Sequence, residues 1–187
     1  MAKVRDNIRI YGDDEGAVFV ADKGTTGPTD LTAPGVGFEE LGWLSEDGVD
    51  LDRNEDVQEF KGWQGGKLLR KKITSVDDTF KFQCLEETAA VLGLYYKGQV
   101  PTVTGTGAAA VAKITVTNQA VSDERAWVVD AFDGEVQKRY VVPSGEVTAR
   151  ATISHKNSDM TIYEFTVTVY GDYDLYTNAP AVTGISA

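Results

Sequence analysis

Apolar and polar residues alternate with a period of two along most of this chain, which predicts half-buried strands. Within residues 161–169, Tyr163, Phe165, Val167 and Val169 share one face, and Glu164, Thr166 and Thr168 hold the other. Phe80, Phe82 and Cys84 oppose Thr79, Lys81 and Gln83 in the same way. Val147, Ala149, Ala151 and Ile153 oppose Thr148, Arg150 and Thr152, and Ile114 and Val116 oppose Lys113, Thr115 and Thr117. Between 127–132 and 136–142, Asp133-Gly134 suits the positive φ angles of a tight hairpin. Asp47-Gly48, Asp77-Asp78, Pro143-Ser144-Gly145 and Asn157-Ser158-Asp159 read as further turns.

One segment departs from this period. Residues 86–95 are rich in helix formers and open with Glu86 and Glu87, which suit a helix N-terminus, while Gly98 and Pro101 follow to end the helix. The prediction is one helix of two to three turns on the outside of a sheet. Residues 45–66, with many carboxylates and four glycines, read as a long polar loop, and 98–110 as an exposed connection. The ends, 1–15 and 171–187, read as an N-terminal arm and a C-terminal tail. No internal repeat or domain boundary is evident. The expected fold is mainly β, a β-sandwich or open barrel with one flanking α-helix, in a single domain spanning 1–187.

Charge narrows the function classes. The net charge is −11, from 18 Lys and Arg against 29 Asp and Glu, so the chain should repel nucleic acid rather than hold it. One cysteine, Cys84, leaves no intrachain disulfide and reads as a small buried side chain. No stretch approaches the roughly 20 apolar residues that cross a bilayer, and the first residues do not form a signal peptide, so no membrane insertion and synthesis in a cytoplasm are expected.

Catalytic chemistry finds no foothold. His155, the lone histidine, sits in Ser154-His155-Lys156-Asn157, a polar strand end. A zinc site needs three or four Cys, His or carboxylate ligands, and one Cys with one His does not supply them. Asp50-Leu51-Asp52-Arg53-Asn54 opens like a calcium loop, but Glu55 and Lys61 stand where that loop needs glycine and glutamate. Gly105-Thr106-Gly107 precedes a β-alternating run rather than a helix, so it reads as a linker and not a dinucleotide fingerprint. No enzyme, cofactor or metal is expected.

Three stretches in order carry a resemblance: Phe38-Glu39-Glu40-Leu41-Gly42-Trp43-Leu44-Ser45-Glu46-Asp47-Gly48-Val49, then Gly62-Trp63-Gln64-Gly65-Gly66, then Thr79-Phe80-Lys81-Phe82-Gln83-Cys84-Leu85-Glu86-Glu87. This order resembles the major tail tube proteins of long-tailed, non-contractile bacteriophages, particularly those of actinobacterial hosts. The resemblance is strongest over about 38–96 and extends by architecture to the strand near 163–170. It implies a structural subunit of the virion tail. Six copies would form a ring whose inner strands join into one barrel, and rings would stack into a hollow tube for DNA delivery. The implied partners are other copies, a tape measure protein, a tail terminator, and distal tail or baseplate proteins. DNA would pass through without specific binding.

Two sets of residues follow as expectations. The polar segment 45–66 is expected to contact a neighbouring subunit through Asp47, Asp50, Asp52, Phe60 and Trp63. The resemblance places the hairpin before the helix and the C-terminal strand on the inner barrel, so Thr79, Lys81, Gln83, Glu164, Thr166 and Thr168 are expected to line the channel. Lys81 is the awkward member unless Glu164 neutralises it across strands. The alternative is a β-sandwich carbohydrate-binding or adhesin-like module, because Trp43, Trp63 and Trp127 could stack on sugars if exposed.

Overall fold

The computed structural model describes residues 4–119 and 121–184, so the first three residues of the expected arm and the last three of the expected tail lie outside it. The described strands are β1 (Ala17–Asp22), β2 (Glu39–Glu40), β3 (Leu44–Lys61), β4 (Leu68–Cys84), β5 (Thr102–Thr104), β6 (Val111–Lys113), β7 (Glu124–Asp133), β8 (Val136–Arg150), β9 (Tyr163–Val169) and β10 (Asp174–Thr177). Two short α-helices, α1 (Ala89–Tyr95) and α2 (Pro180–Thr183), and two 3-10 turns, Arg5–Asn7 and Gly107–Ala109, accompany them. The protein is mainly β, as expected.

The main sheet is antiparallel and runs β2-β1-β7-β8-β9-β4-β3, with β10 pairing β8. One edge of β8 pairs β7; the other pairs β10 through Lys138–Val141 and β9 from Gly145 to Arg150. The sheet curls into an open barrel, because strands far apart in this order share one core. Val18 and Val20 of β1, Trp127 of β7, and Phe80 and Phe82 of β4 belong to a single buried cluster. The rings of Phe82 and Trp127 meet edge to face at 6.1 Å, with β8 and β9 between their strands in the sheet. The indole N–H of Trp127 donates to the Gly145 carbonyl at 3.1 Å, so burial leaves its polar atom satisfied.

Alternation fixes which face turns inward. β9 reads buried and half-buried in strict succession, and Phe80, Phe82 and Cys84 of β4 point into the same core. Helix α1 covers one end of the barrel through Val91 and Leu94. It spans seven residues, shorter than expected, because Thr88 caps it by accepting the Val91 N–H at 3.2 Å. Glu86 and Glu87 therefore stand before the helix: Glu86 accepts the Trp43 N–H, and Glu87 accepts the Tyr163 hydroxyl. Arg150 fixes the other end by donating to the Leu94 carbonyl at 2.8 and 3.0 Å.

The outer face of the β7–β8 half is covered by the chain itself. Arg139, 1% exposed, forms a forked pair with Asp130 and also donates to the carbonyls of Asp30 and Thr32. This pins the 23–38 connection across the sheet. The tail is partly docked: β10 pairs β8, and Asn178 bonds the Gln137 N–H and the Glu135 carbonyl, each at 2.8 Å. The arm runs beside the β7–β8 turn, where Asp13 accepts the Gly134 N–H and Gly12 donates to Phe132.

Several expectations are corrected. Residues 45–66 are not a loop: β3 is an 18-residue strand that turns at 62–67 into the 17-residue β4. Asp77-Asp78 lies inside β4, opposite Asn54 and Arg53, where the Arg53–Asp78 ion pair (3.6 Å) takes up the charge. Asp47-Gly48 is a bulge, in which residues 45–48 all lie opposite Gln83. Pro143-Ser144 is likewise a bulge inside β8, opposite Ala126, a position where the missing proline N–H is tolerated. Ala149 follows another register shift and is exposed. Ile114 and Val116 lie beyond the end of β6, which pairs only the three-residue β5. A four-residue helix, α2, adds to the one expected. The Asp133-Gly134 hairpin stands as predicted.

Candidate interaction surfaces

Three uncovered surfaces among the described residues bear on function. The first is the outer face of β3, β4 and β9. Cross-strand rows place Asp52, Thr79 and Thr168 side by side, then Asp50, Lys81 and Thr166, then Gln83 and Glu164. The residues between these rows, such as Phe80 and Val167, point to the core. All six residues expected to line a channel thus share one continuous face, and Asp50 and Asp52, expected at a subunit contact, join them. Lys81 Nζ sits 3.1 Å from Glu164 Oε1, and Gln83 donates to the other oxygen of Glu164 at 3.0 Å. Thr148 and Thr168 hydroxyls meet at 2.8 Å on the same face. The one lysine is neutralised, so Asp50 and Asp52 leave the surface acidic.

The second surface is a two-stranded ribbon. β9 pairs β4 only over Thr79–Cys84, so the β3–β4 ladder from Arg53 outward has no third strand. Nine residues of β3 extend roughly 30 Å beyond the sheet at about 3.3 Å per residue. Gly65 and Gly66, with φ of 71° and 63°, make the turn at its tip. Phe60 and Trp63, both expected at a subunit contact, lie near or at that tip, where Trp63 is 95% exposed. On one ribbon face Glu59 pairs Lys71 at 2.8 Å, which holds the Glu59 carboxyl below its ordinary range. The opposite face carries Phe60, Arg70 and Lys72, while a register shift puts Leu68 beside Lys61 on the Glu59 face. A ribbon of two strands is marginally stable by itself, so exposed apolar groups along it mark a surface made to be covered.

The third surface is an open groove of about 660 Å³ between the first residues of β3 and the β7–β8 pair, walled on one side by the arm. Asp47, the remaining residue expected at a contact, sits on its lip because the 45–48 bulge turns outward there. The face, the ribbon and the groove were each partly missed by the sequence reading. The missing signal was the edge of β3, which pairs β4 alone.

Chemical machinery is not gathered at one place among the described residues. His155 is exposed, and among the described residues no group of three or more His, Cys, Asp or Glu side chains is arranged to hold a metal. Cys84 is buried, and desolvation, followed by the nearby Glu86, pushes its thiol up to about 12. No described helix is long and apolar enough to cross a membrane. The tryptophans do not form a sugar platform. Trp127 is core, and Trp43 and Trp63 flank the two ends of β3, on the order of 60 Å apart by strand rise.

Comparison with known proteins follows the same line. The family model described as phage tail tube protein matches residues 1–183. Among solved structures, the chain is similar to a chain of the native gene transfer agent virion, at 9% identity and a TM-score of 0.46, covering 88% of this chain and 98% of that one. A chain of an extracellular contractile injection system sheath–tube complex is similar at 11% identity and a TM-score of 0.46, covering 88% of each. A chain of an empty gene transfer agent tail refined with C6 symmetry is similar at 11% identity and a TM-score of 0.40, covering 94% and 99%. No curated protein matches the chain in sequence.

Proposed function

Since the chain belongs to the phage tail tube protein family, we propose that six copies join into a ring, that rings stack into the tube, and that the acidic face of β3, β4 and β9 lines the bore. The protein is a structural subunit of a phage tail tube, part of the virion, and not an enzyme.

The uncovered polar face is the observation that supports the bore assignment. A conduit for DNA has to stay wet and must not bind phosphate. Threonine and glutamine hydrate the wall, the Glu164 contact neutralises Lys81, and Asp50 and Asp52, which have no cation partner among the described residues, repel a polyanion. Ring closure has its own support in the sheet edges. β3 presents a long free edge and β2 a two-residue one, and unpaired edges of this kind template strand pairing with another chain. A tape measure protein inside the bore, and terminator and distal tail or baseplate proteins at its two ends, complete the reading.

Electron cryomicroscopy of virions or of tubes grown from pure protein tests it. Six-fold rings with Glu164 and Thr166 facing the bore are expected. A tube with these residues on its outer surface would remove the bore assignment.

A further inference from the structure

We infer that the β3–β4 ribbon of one copy seats in the groove between β3 and β7–β8 of another copy, head to tail, with its Arg70 and Lys72 against the acidic lip of the groove. The inference rests on the tail tube reading and adds the receptor for the ribbon and the chemistry that selects it.

The two surfaces are complementary in charge. Asp14, Glu40, Glu46 and Asp47 line the groove, and none of the four has a cation partner among the described residues. The other carboxylates there are occupied: Asp130 by Arg139, Glu86 by the Trp43 N–H and Asp13 by the Gly134 N–H. Lys138, the one lining cation, sits over the Tyr11 ring at 4.9 Å. On the ribbon, Lys67, Arg70 and Lys72 have no carboxylate partner among the described residues, whereas Lys61 and Lys71 share Glu59.

Apolar chemistry matches as well. The face that carries Arg70 and Lys72 also carries Phe60, with Trp63 at the tip, and both are exposed. The groove floor offers Leu51, Val129 and Tyr140, and 660 Å³ is ample for an indole and its neighbours. Ser45 Oγ, buried in the groove wall, has no hydrogen-bond partner among the described residues.

The chain's own ribbon cannot reach its groove, so the ribbon that seats there comes from a second copy. β3 runs unbroken from the groove to the ribbon tip, which holds Trp63 roughly 40 Å from Leu51 of its own chain at about 3.3 Å per residue. A contact between two different patches is heterologous, and such contacts propagate from copy to copy rather than stopping at a pair.

A chain carrying both Glu46→Cys and Gln64→Cys tests the seat. Cys84 stays silent in the background because it is buried. After assembly, a short bis-maleimide should give a ladder of linked chains on denaturing gels, and either single variant should not. In parallel, Arg70→Glu with Lys72→Glu should raise the concentration at which tubes form by about 10-fold or more, and Glu46→Lys with Asp47→Lys should restore it. Tubes that form without a ladder, or a charge reversal that is not restored, would overturn the ribbon seat while leaving the tail tube reading intact. Wild-type protein that never assembles, and is absent from virions, would overturn both.

Discussion

Lys81 Nζ meets Glu164 Oε1 at 3.1 Å on a diagonal of the β4–β9 ladder, so the one cation of the acidic face is held by its neighbour strand. Both side chains are partly exposed, and such pairs contribute no more than about 1 kcal/mol to folding. Glu164→Lys should therefore fold and assemble. If these side chains face the proposed bore, it turns a neutral pair into two lysines repeated around the channel. DNA ejection from such particles is expected to slow, and the delay should shrink as salt rises, because screening weakens the new attraction. Ejection timed at low and high ionic strength checks this; unchanged kinetics at both would contradict it.

Arg139 and Asp130 give a prediction of the opposite kind. Their forked pair is buried, and Arg139 also anchors the 23–38 connection. Arg139→Met leaves Asp130 without its partner inside the protein, and removing one member of a buried pair costs about 3–5 kcal/mol. Urea denaturation should show that loss as a lower midpoint. Proteolysis within 23–38 should accelerate.

Trp63→Ala separates assembly from folding. The indole is almost fully exposed in the single chain, so its removal should change the folding free energy by less than about 0.5 kcal/mol. Tube growth should suffer much more, since a central aromatic anchor is commonly worth about 2 kcal/mol or more at an interface. Thermal melts of monomer alongside light scattering of growing tubes provide the two readouts. Equal sensitivity in both would place Trp63 in the fold instead.

Burial of Cys84 sets an alkaline limit. Its thiol ionises near 12 in the folded chain against an ordinary value of 9.0. Below pH 9 the proton is bound in folded and unfolded chains alike, and the group has no effect on the pH dependence. Above it the unfolded chain releases the proton and the folded chain keeps it, so stability falls as pH rises from 9 towards 12. Denaturation of wild type and Cys84→Ala across this range should show a steeper decline in the wild type. Thiol reagents at neutral pH should modify the native protein only after unfolding.

The strands that border the core were legible from their sequence, and the ribbon was not. Tyr163 to Val169 alternates because one face meets the core and the other meets water, and that asymmetry writes a period of two into the residues. Residues 53–61 have no buried face, so their selection by pairing alone leaves no such imprint, and their carboxylates read as loop. Asp-Gly shows the limit of local signals. Gly134 and Gly48 adopt nearly the same φ, 59° and 67°, yet the first closes a hairpin and the second shapes a bulge. Which of the two forms depends on whether a partner strand continues past it. The acidic face was half legible: Lys81 and Glu164 were readable as a pair, while Asp50 and Asp52 joined them only once the register of β3 was seen.

The ribbon is attached to the body at one end only, through the ladder that begins at Asp52 and Thr79. Mechanically it is a cantilever. A load applied near Trp63 acts over a lever arm of roughly 30 Å at about 3.3 Å per residue, against two strands rather than a full barrel wall. Linked through such beams, stiff rings would shed strain into their connections. A long tail built in the proposed way would curve under shear while the bore of each ring kept its shape.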